Sequence, residues 1–256
     1  MPPRELALLA RAPRPETIDG VVARLHAIEA ALPEQNGIAT FNRLYRWTTE
    51  NVGLAVKQER FQKCNAMEAL DVRFACLYFD AVDAWAEARA VPGAWQPLFD
   101  HAENPEVGSL RFALAGMNAH ISRDLAVAVA ESQDERPDED SAEYLDYVLV
   151  NQVLEATSDQ VRGRILPATL TEIDTALGEA DDALIIGAMA TARKAAWEGA
   201  QVLWHLRPTE VLYRRALQGL DFVVGTTSRV ILFDPDLPSF GGLRERLEAK
   251  LGEHEA

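Results

Sequence analysis

A histidine and an aspartate spaced one helical turn apart, His120 and Asp124, are the strongest candidates for chemistry in this sequence. They lie in the segment LAGMNAHISRDLAVAV, whose apolar side chains recur at the three- and four-residue spacing of an α-helix. At about 100° per residue, Asp124 falls inside the apolar stripe and His120 at its edge, so both are predicted to face the interior. Because burying such groups costs free energy unless they are paired or used, the pair predicts a general acid or base with a carboxylate partner.

Further polar groups are predicted to point at the same interior. Asp71 lies between Met67 and Phe74 on the buried stripe of its own predicted helix, and we expect it to be a third catalytic residue. It would orient His120 or act as its carboxylate partner. Side chains that can bind a small substrate complete the predicted site: Asn118, Tyr78, Thr48, Asn51, Trp47 and Trp95. The alternative interpretation of this pattern is a satisfied hydrogen-bond network with a structural role.

The elements that must position these residues are predicted to be helices. Apolar residues recur at three and four along nearly every long segment, and strand-like alternation is hard to find. The sequence therefore predicts an all-α, multi-helix bundle of about seven main helices in a single domain spanning 1–256, with 1–16 and 239–256 as peripheral segments. The predicted main helices cover about 17–32, 38–56, 65–89, 109–131, 140–166, 181–206 and 208–233, with a short helical piece at 169–178.

Composition restricts the partners and the compartment. The formal net charge is -15, from 40 acidic and 25 basic residues, so nucleic acid is not an expected partner. No window approaches the roughly 18 apolar residues of a membrane span, and the N-terminus lacks a signal-peptide pattern. Cys64 and Cys76 would lie about 18 Å apart on one helix, too far for a disulfide, which favours a reducing compartment. We expect a cytoplasmic protein that binds a small organic molecule, and an oligomer is compatible with the sequence.

Four segments carry a family resemblance: FNRLYRWTT (41–49), MEALDVRFACLYFDA (67–81), VPGAW (91–95) and LAGMNAHISRDLAVAV (114–129). Together they resemble the bacterial domain-of-unknown-function family 5995, for which MNAHxxxDL is the most specific motif. The resemblance is good over about 38–130 and loose elsewhere. It implies that Asp71, Asn118, His120 and Asp124 belong to one site, and it implies no particular reaction.

The spacing His120-x-x-x-Asp124 also resembles one ligand pair of the helical zinc phospholipase C and P1 nuclease family. This resemblance implies an alternative site in which His120, Asp124 and Asp71 hold a divalent metal such as zinc, because a catalytic zinc normally takes three protein ligands. The preferred site needs no metal and no cofactor. Asp80 and Asp83, an aspartate pair of the kind that binds magnesium, project away from the buried stripe of their helix and are expected at the surface.

Three hypotheses for function follow from these residues. The preferred one is an enzyme that transforms a small molecule by cofactor-independent acid–base chemistry, as a lyase, isomerase or cyclase does, in an apolar, aromatic-lined cavity of the bundle. The second is a metal-dependent hydrolase built on the histidine and aspartates. The third is a non-enzymatic ligand-binding or interaction protein whose buried polar groups serve the packing alone.

Overall fold

The computed structural model describes residues 3–161 and 168–233. Helical residues account for 75%, and no strand occurs in these ranges, which confirms the predicted all-α, multi-helix fold. The helices are α1 (Arg4–Leu9), α2 (Ile18–Ala30), α3 (Gly37–Lys57), α4 (Cys64–Ala86), α5 (Gln96–Asp100), α6 (Ser109–Ala119), a π-helical turn (His120–Leu125), α7 (Ala126–Ser132), α8 (Ala142–Val161), α9 (Ala168–Leu206) and α10 (Glu210–Phe233).

The helix boundaries differ from the sequence prediction mainly at α9. The predicted short piece at 169–178 and the predicted helix from 181 form one helix of 39 residues that begins at Ala168. Gly178 lies inside α9 and does not end it, because an isolated glycine weakens a helix interior by only about 1 kcal/mol. The polar helix predicted at 239–256 lies outside the described residues.

Polar side chains fix the starts of three helices. Thr17 precedes α2 and caps it by accepting a hydrogen bond from the Gly20 amide. Asn36 caps α3 by accepting from the first amides of that helix. At the start of α4 the cap comes from another helix, because Asp146 of α8 accepts the amides of Gln62 and Lys63 at 2.9 and 2.7 Å. These contacts set where α3, α4 and α8 lie relative to one another.

The apolar core consists of two clusters, and helices α3 and α4 contribute to both. One cluster joins α1 to α6 with α10, and the other joins α3 and α4 to α7, α8 and α9. Phe74 of α4 packs against both clusters. Leu6 of α1 is fully buried in the first cluster, so the 1–16 segment, expected to be peripheral, contributes to the core. The helix that carries Asp71 thus runs between the two halves of the core.

Asp83 is buried, which corrects the prediction that it lies at the surface. It is 3% exposed and accepts from Arg24 at 2.8 Å and from Arg14 at 2.6 Å. Asp80, by contrast, is exposed, as predicted. The prediction for Asp83 was wrong because α2 and the segment before it cover a face of α4 that the apolar pattern left unassigned. Two arginines there provide the counter-charge that a buried carboxylate needs.

Glycine at position 225 allows α10 to pack directly on the backbone of the loop before α5. A Cβ at Gly225 would lie 2.4 Å from the Gly93 carbonyl oxygen. We expect Gly225→Ala to lower the free energy of unfolding by about 1–3 kcal/mol, measured by urea denaturation, because backbone atoms must shift. Gly219→Ala on the same helix meets no atom within 4 Å and should instead raise it by about 0.5–1 kcal/mol. Equal effects of the two substitutions would contradict this packing.

Within the described ranges, none of the helices combines the length and the apolar character that crossing a membrane requires.

Candidate functional site

The π-helical turn places His120 and Asp124 side by side in the interior. α6 and α7 form one long rod that is interrupted only by this turn, His120–Leu125. A π-helical turn inserts an extra residue into a helix and is frequent at functional sites. His120 is 2% exposed and Asp124 is completely buried. The inward orientation predicted for both side chains is therefore confirmed.

Three N–H donors converge on the Asp124 carboxylate. Trp95 Nε1–H donates to Oδ2 at 2.9 Å, and Arg123 Nη1–H donates to Oδ1 at 2.8 Å. His120 Nδ1 lies 3.1 Å from Oδ2. Because a carboxylate flanked by donors accepts, the proton of the neutral imidazole belongs on Nδ1, and this hydrogen bond leaves a lone pair on Nε2.

Aromatic rings enclose the imidazole of His120. The Phe74 ring stacks on it with centroids 3.6 Å apart, and the Tyr45 ring meets it edge-on at 4.3 Å. More distant rings complete the enclosure: Phe41, Tyr78 and Trp95. Burial lowers the pKa of His120 from its ordinary 6.5, although the hydrogen bond and charge of Asp124 oppose that shift. His120 is therefore a neutral base at pH 7.

His120 Nε2 has no hydrogen-bond partner among the described residues, and two buried polar atoms of α3 and α4 share this property. They are the hydroxyl of Tyr45 and Oδ2 of Asp71. Burial and the charge of Asp71 raise the pKa of Tyr45 well above its ordinary value, so the phenol stays protonated. Burial also raises the pKa of Asp71 to about 7, while the Arg193 charge opposes the rise. Asp71 is buried as predicted, but it forms no hydrogen bond with His120 or Asp124.

The predicted substrate-binding residues divide into two groups. Trp95 and Tyr78 belong to the enclosure around His120, and the Tyr78 hydroxyl donates to Asn42 Oδ1 at 3.3 Å. Asn118 lies on the same rod but faces α10, because its Nδ2 donates to the Val224 carbonyl. Only the first group is therefore placed to contact a molecule bound beside the imidazole.

Helix α3 presents a different face from the one predicted. Thr48 and Asn51 are half-buried and hydrogen-bond to backbone carbonyls of their own helix, and Trp47 is also half-buried. The buried face runs instead through Tyr45, Thr49 and Val52. Thr48, Asn51 and Trp47 thus flank that face, and their role in substrate binding stays a prediction. The sequence pattern assigned the large Trp47 ring to the core, whereas the smaller Tyr45 and Thr49 occupy it.

Sequence reasoning missed the contributions of Tyr45, Arg123, Arg193 and Trp197. Trp197 packs on Tyr147 with centroids 4.9 Å apart in the second core cluster. Arg193 and Trp197 are four residues apart on α9, beside its buried alanines, and this spacing predicts that both side chains face inward. No comparable signal identifies Arg123, because it precedes Asp124 and would be placed on the helix surface.

The described residues do not assemble the alternative metal site. They contain no group of three or more histidine, cysteine or acidic side chains arranged to hold a metal ion. The donor set agrees with that finding, because both Asp124 oxygens accept from N–H donors and His120 Nδ1 faces the carboxylate. The three predicted ligands thus do not converge on a common point.

Comparison with known proteins supplies a family and no activity. The sequence profile of a family of unknown function, DUF5995, matches residues 18–233. No curated protein and no solved structure matches the chain. The matched range contains every residue of the site, from Tyr45 to Trp197.

Proposed function

Since the chain belongs to the DUF5995 family of unknown function, we propose from the site itself that it is an enzyme that moves a proton on a small organic molecule, with His120 as the general base and acid. The observation that carries this proposal is the state of His120 Nε2. It is buried and has no hydrogen-bond partner among the described residues, while Nδ1 is held by Asp124. The large majority of buried side-chain nitrogens with a structural role are hydrogen-bonded.

The chemistry requires only the residues of the site. The Nε2 lone pair takes a proton from a C–H or O–H bond of the substrate, and the electron pair of that bond stays on the substrate. Asp124 stabilises the imidazolium that forms, since its carboxylate already accepts from Nδ1. The Tyr45 hydroxyl is protonated and has no hydrogen-bond partner by geometry among the described residues, and it donates to a substrate oxygen on which negative charge develops. When the proton returns to a different atom of the substrate, the reaction is an isomerisation. In a lyase reaction the electron pair instead forms a double bond and expels a leaving group, which takes the proton from His120. In a cyclisation the electron pair forms the ring bond to a carbonyl carbon, whose oxygen takes the proton.

Access to this enclosed site is proposed from the side of α4. A cleft of about 750 Å³ lies between the 132–141 segment and α4, where Met67 and Leu70 contribute to its wall. Met67 precedes Asp71 by one helical turn, so the cleft borders the part of α4 that carries Asp71. The Phe74 ring of α4 covers one face of the imidazole by stacking on it. Access from this side therefore requires Phe74 to change rotamer or α3 and α4 to separate.

The test is proton exchange on carbonyl compounds in D₂O, followed by NMR. A panel of small ketones, aldehydes and keto acids is incubated with the protein, and loss of the proton beside the carbonyl is measured. We expect exchange with at least one compound, and His120→Gln should slow it by about a hundredfold or more. His205→Gln is the matched control, because His205 is exposed on α9 and bonds a backbone carbonyl. Exchange that is absent for the whole panel, or equal in His120→Gln and wild type, rejects the proposal.

The pH dependence of exchange gives a second, independent check. Burial places the pKa of His120 below its ordinary 6.5, and the base form is the active one. The rate should therefore be constant at neutral pH and fall on acidification only through a midpoint below 6.5. A rate that keeps rising above pH 7 would identify a different base.

A further inference from the structure

Helix α9 presents two buried N–H donors that lack acceptors in the part of the chain that the structure describes. Arg193 is 7% exposed and Trp197 is 1% exposed. Neither Arg193 Nε–H nor Trp197 Nε1–H has a hydrogen-bond partner among the described residues. The two residues are one helical turn apart, and both contact the Tyr147 ring, the guanidinium carbon at 4.3 Å and the indole at 4.9 Å from its centroid. The donors thus lie on the same face of α9, beside one aromatic ring.

Arg193 is held in place without being neutralised. Its Nη2 donates to the Tyr147 carbonyl at 2.8 Å, and the Tyr147 hydroxyl donates to the Arg193 carbonyl. These hydrogen bonds fix the guanidinium, but neither acceptor carries a formal negative charge. Burial accordingly lowers the pKa of Arg193. A buried charge costs free energy unless an opposite charge pairs with it. Among the described residues, no carboxylate forms an ion pair with this guanidinium.

Asp71 of α4 and Arg193 interact electrostatically but form no ion pair. The Arg193 charge lowers the pKa of Asp71, and the Asp71 charge raises that of Arg193. Asp71 Oδ2 and Arg193 Nε both lack partners within the described part of the chain. Each of the two groups therefore keeps hydrogen-bonding capacity that a polar ligand would satisfy.

We propose that Arg193, Trp197 and Asp71 together bind the carboxylate of a small organic acid. The ligand accepts from Arg193 Nε–H and Trp197 Nε1–H, and its charge neutralises the guanidinium. Asp71 in its protonated form donates the third hydrogen bond, because two ionised carboxylates in one site would repel. The net charge of -15 repels anions at long range, so affinity and selectivity depend on these local donors. If His120 acts as proposed above, small carboxylic acids are also its substrate class, and this assignment rests on the proposed function.

The experiment measures binding alone, by titration calorimetry at constant chloride. The probes are propionate, benzoate and phenylacetate, each compared with its uncharged amide. We expect wild type to bind at least one carboxylate at millimolar concentration or below and to bind the matching amide much more weakly. Trp197→Phe keeps the ring and removes the donor, so it should weaken binding about tenfold to a hundredfold. Arg193→Met should abolish binding.

Trp204→Phe is the matched control, because Trp204 lies on α9 and its Nε1–H already donates to the Gln133 carbonyl at 3.3 Å. It should bind like wild type. Absence of carboxylate binding, equal binding of acid and amide, or unchanged affinity in Trp197→Phe each overturns the inference. Trp197→Phe remains decisive if Arg193→Met fails to fold. Failure of the proposed function is distinguishable from failure of the carboxylate site. Carboxylate binding without His120-dependent exchange rejects the proposed enzyme and supports the carboxylate site. Exchange without carboxylate binding supports the enzyme and rejects the carboxylate site.

Discussion

Asparagine in place of Asp124 is expected to lower the free energy of unfolding by about 3–5 kcal/mol, measured by urea denaturation at pH 7. The carboxylate is completely buried and accepts from Trp95, His120 and Arg123. An amide has one acceptor oxygen where donors meet both carboxylate oxygens, and its N–H₂ group would face one of those donors. Arg123 would also lose a negative charge at its side. The substitution thus leaves at least one buried donor unsatisfied and removes a charge that balances a cation.

The matched control for this substitution is Asp100→Asn. Asp100 is exposed and accepts a hydrogen bond from Gln96 on the same short helix. Surface substitutions of this kind usually change stability by less than about 0.5 kcal/mol. If Asp124→Asn cost no more than the control, the convergence of three donors on Asp124 would be wrong. The assignment of the free lone pair to His120 Nε2 would then also lose its basis.

The part of the site predictable from sequence was the part carried by one helix. His120 and Asp124 lie four residues apart on a strongly apolar segment, so their shared inward face follows from helical geometry alone. Asp71 was likewise placed by the apolar residues on either side of it. The all-α fold follows for the same reason, because three-four periodicity is a local property of each segment.

The parts that could not be predicted depend on which helices pack together. Helix α3 carries apolar and aromatic residues on more than one face, and its neighbours decide that Tyr45 is buried and Trp47 is not. Asp83 was placed at the surface because nothing in its own helix indicates that Arg24 covers it. The electrostatic interaction of Arg193 with Asp71 links two helices that are distant in sequence. Such interactions depend on how the helices pack, which the periodicity of a single segment does not predict.

Several buried groups of the site destabilise the fold, which favours a functional interpretation of them. The hydroxyl of Tyr45, Nε2 of His120 and Oδ2 of Asp71 are buried without partners in the described residues. An unsatisfied buried polar group costs about 1–3 kcal/mol, and an apolar side chain of similar shape would avoid that cost. Proteins commonly give up stability at sites where activity needs such groups. Of the three, Asp71 offers the clearest measurement, because its cost depends on pH.

Asp71→Asn should therefore make the protein more stable at pH 8 and leave it nearly unchanged at pH 4. Burial raises the pKa of Asp71 from 3.8 to about 7, so the folded protein keeps a proton between these values that the unfolded chain releases. Wild-type stability from this group is fully present below about pH 4 and is lost as the pH rises to about 7, a total of about 4 kcal/mol. The asparagine does not titrate, so the difference in the free energy of unfolding between variant and wild type should grow across this window and level off above it.

Urea denaturation at several pH values measures that difference directly. The opposite titration of His120, which removes stability on acidification, is common to both proteins and cancels in the comparison. Asp100→Asn, the exposed control, should show no such growth with pH. Equal stabilities of Asp71→Asn and wild type at pH 8 would mean that the Asp71 carboxylate is hydrated or paired when ionised. In that case Asp71 would not be protonated near neutral pH, and the proposed carboxylate site would lose its third hydrogen-bond donor while Arg193 and Trp197 kept theirs.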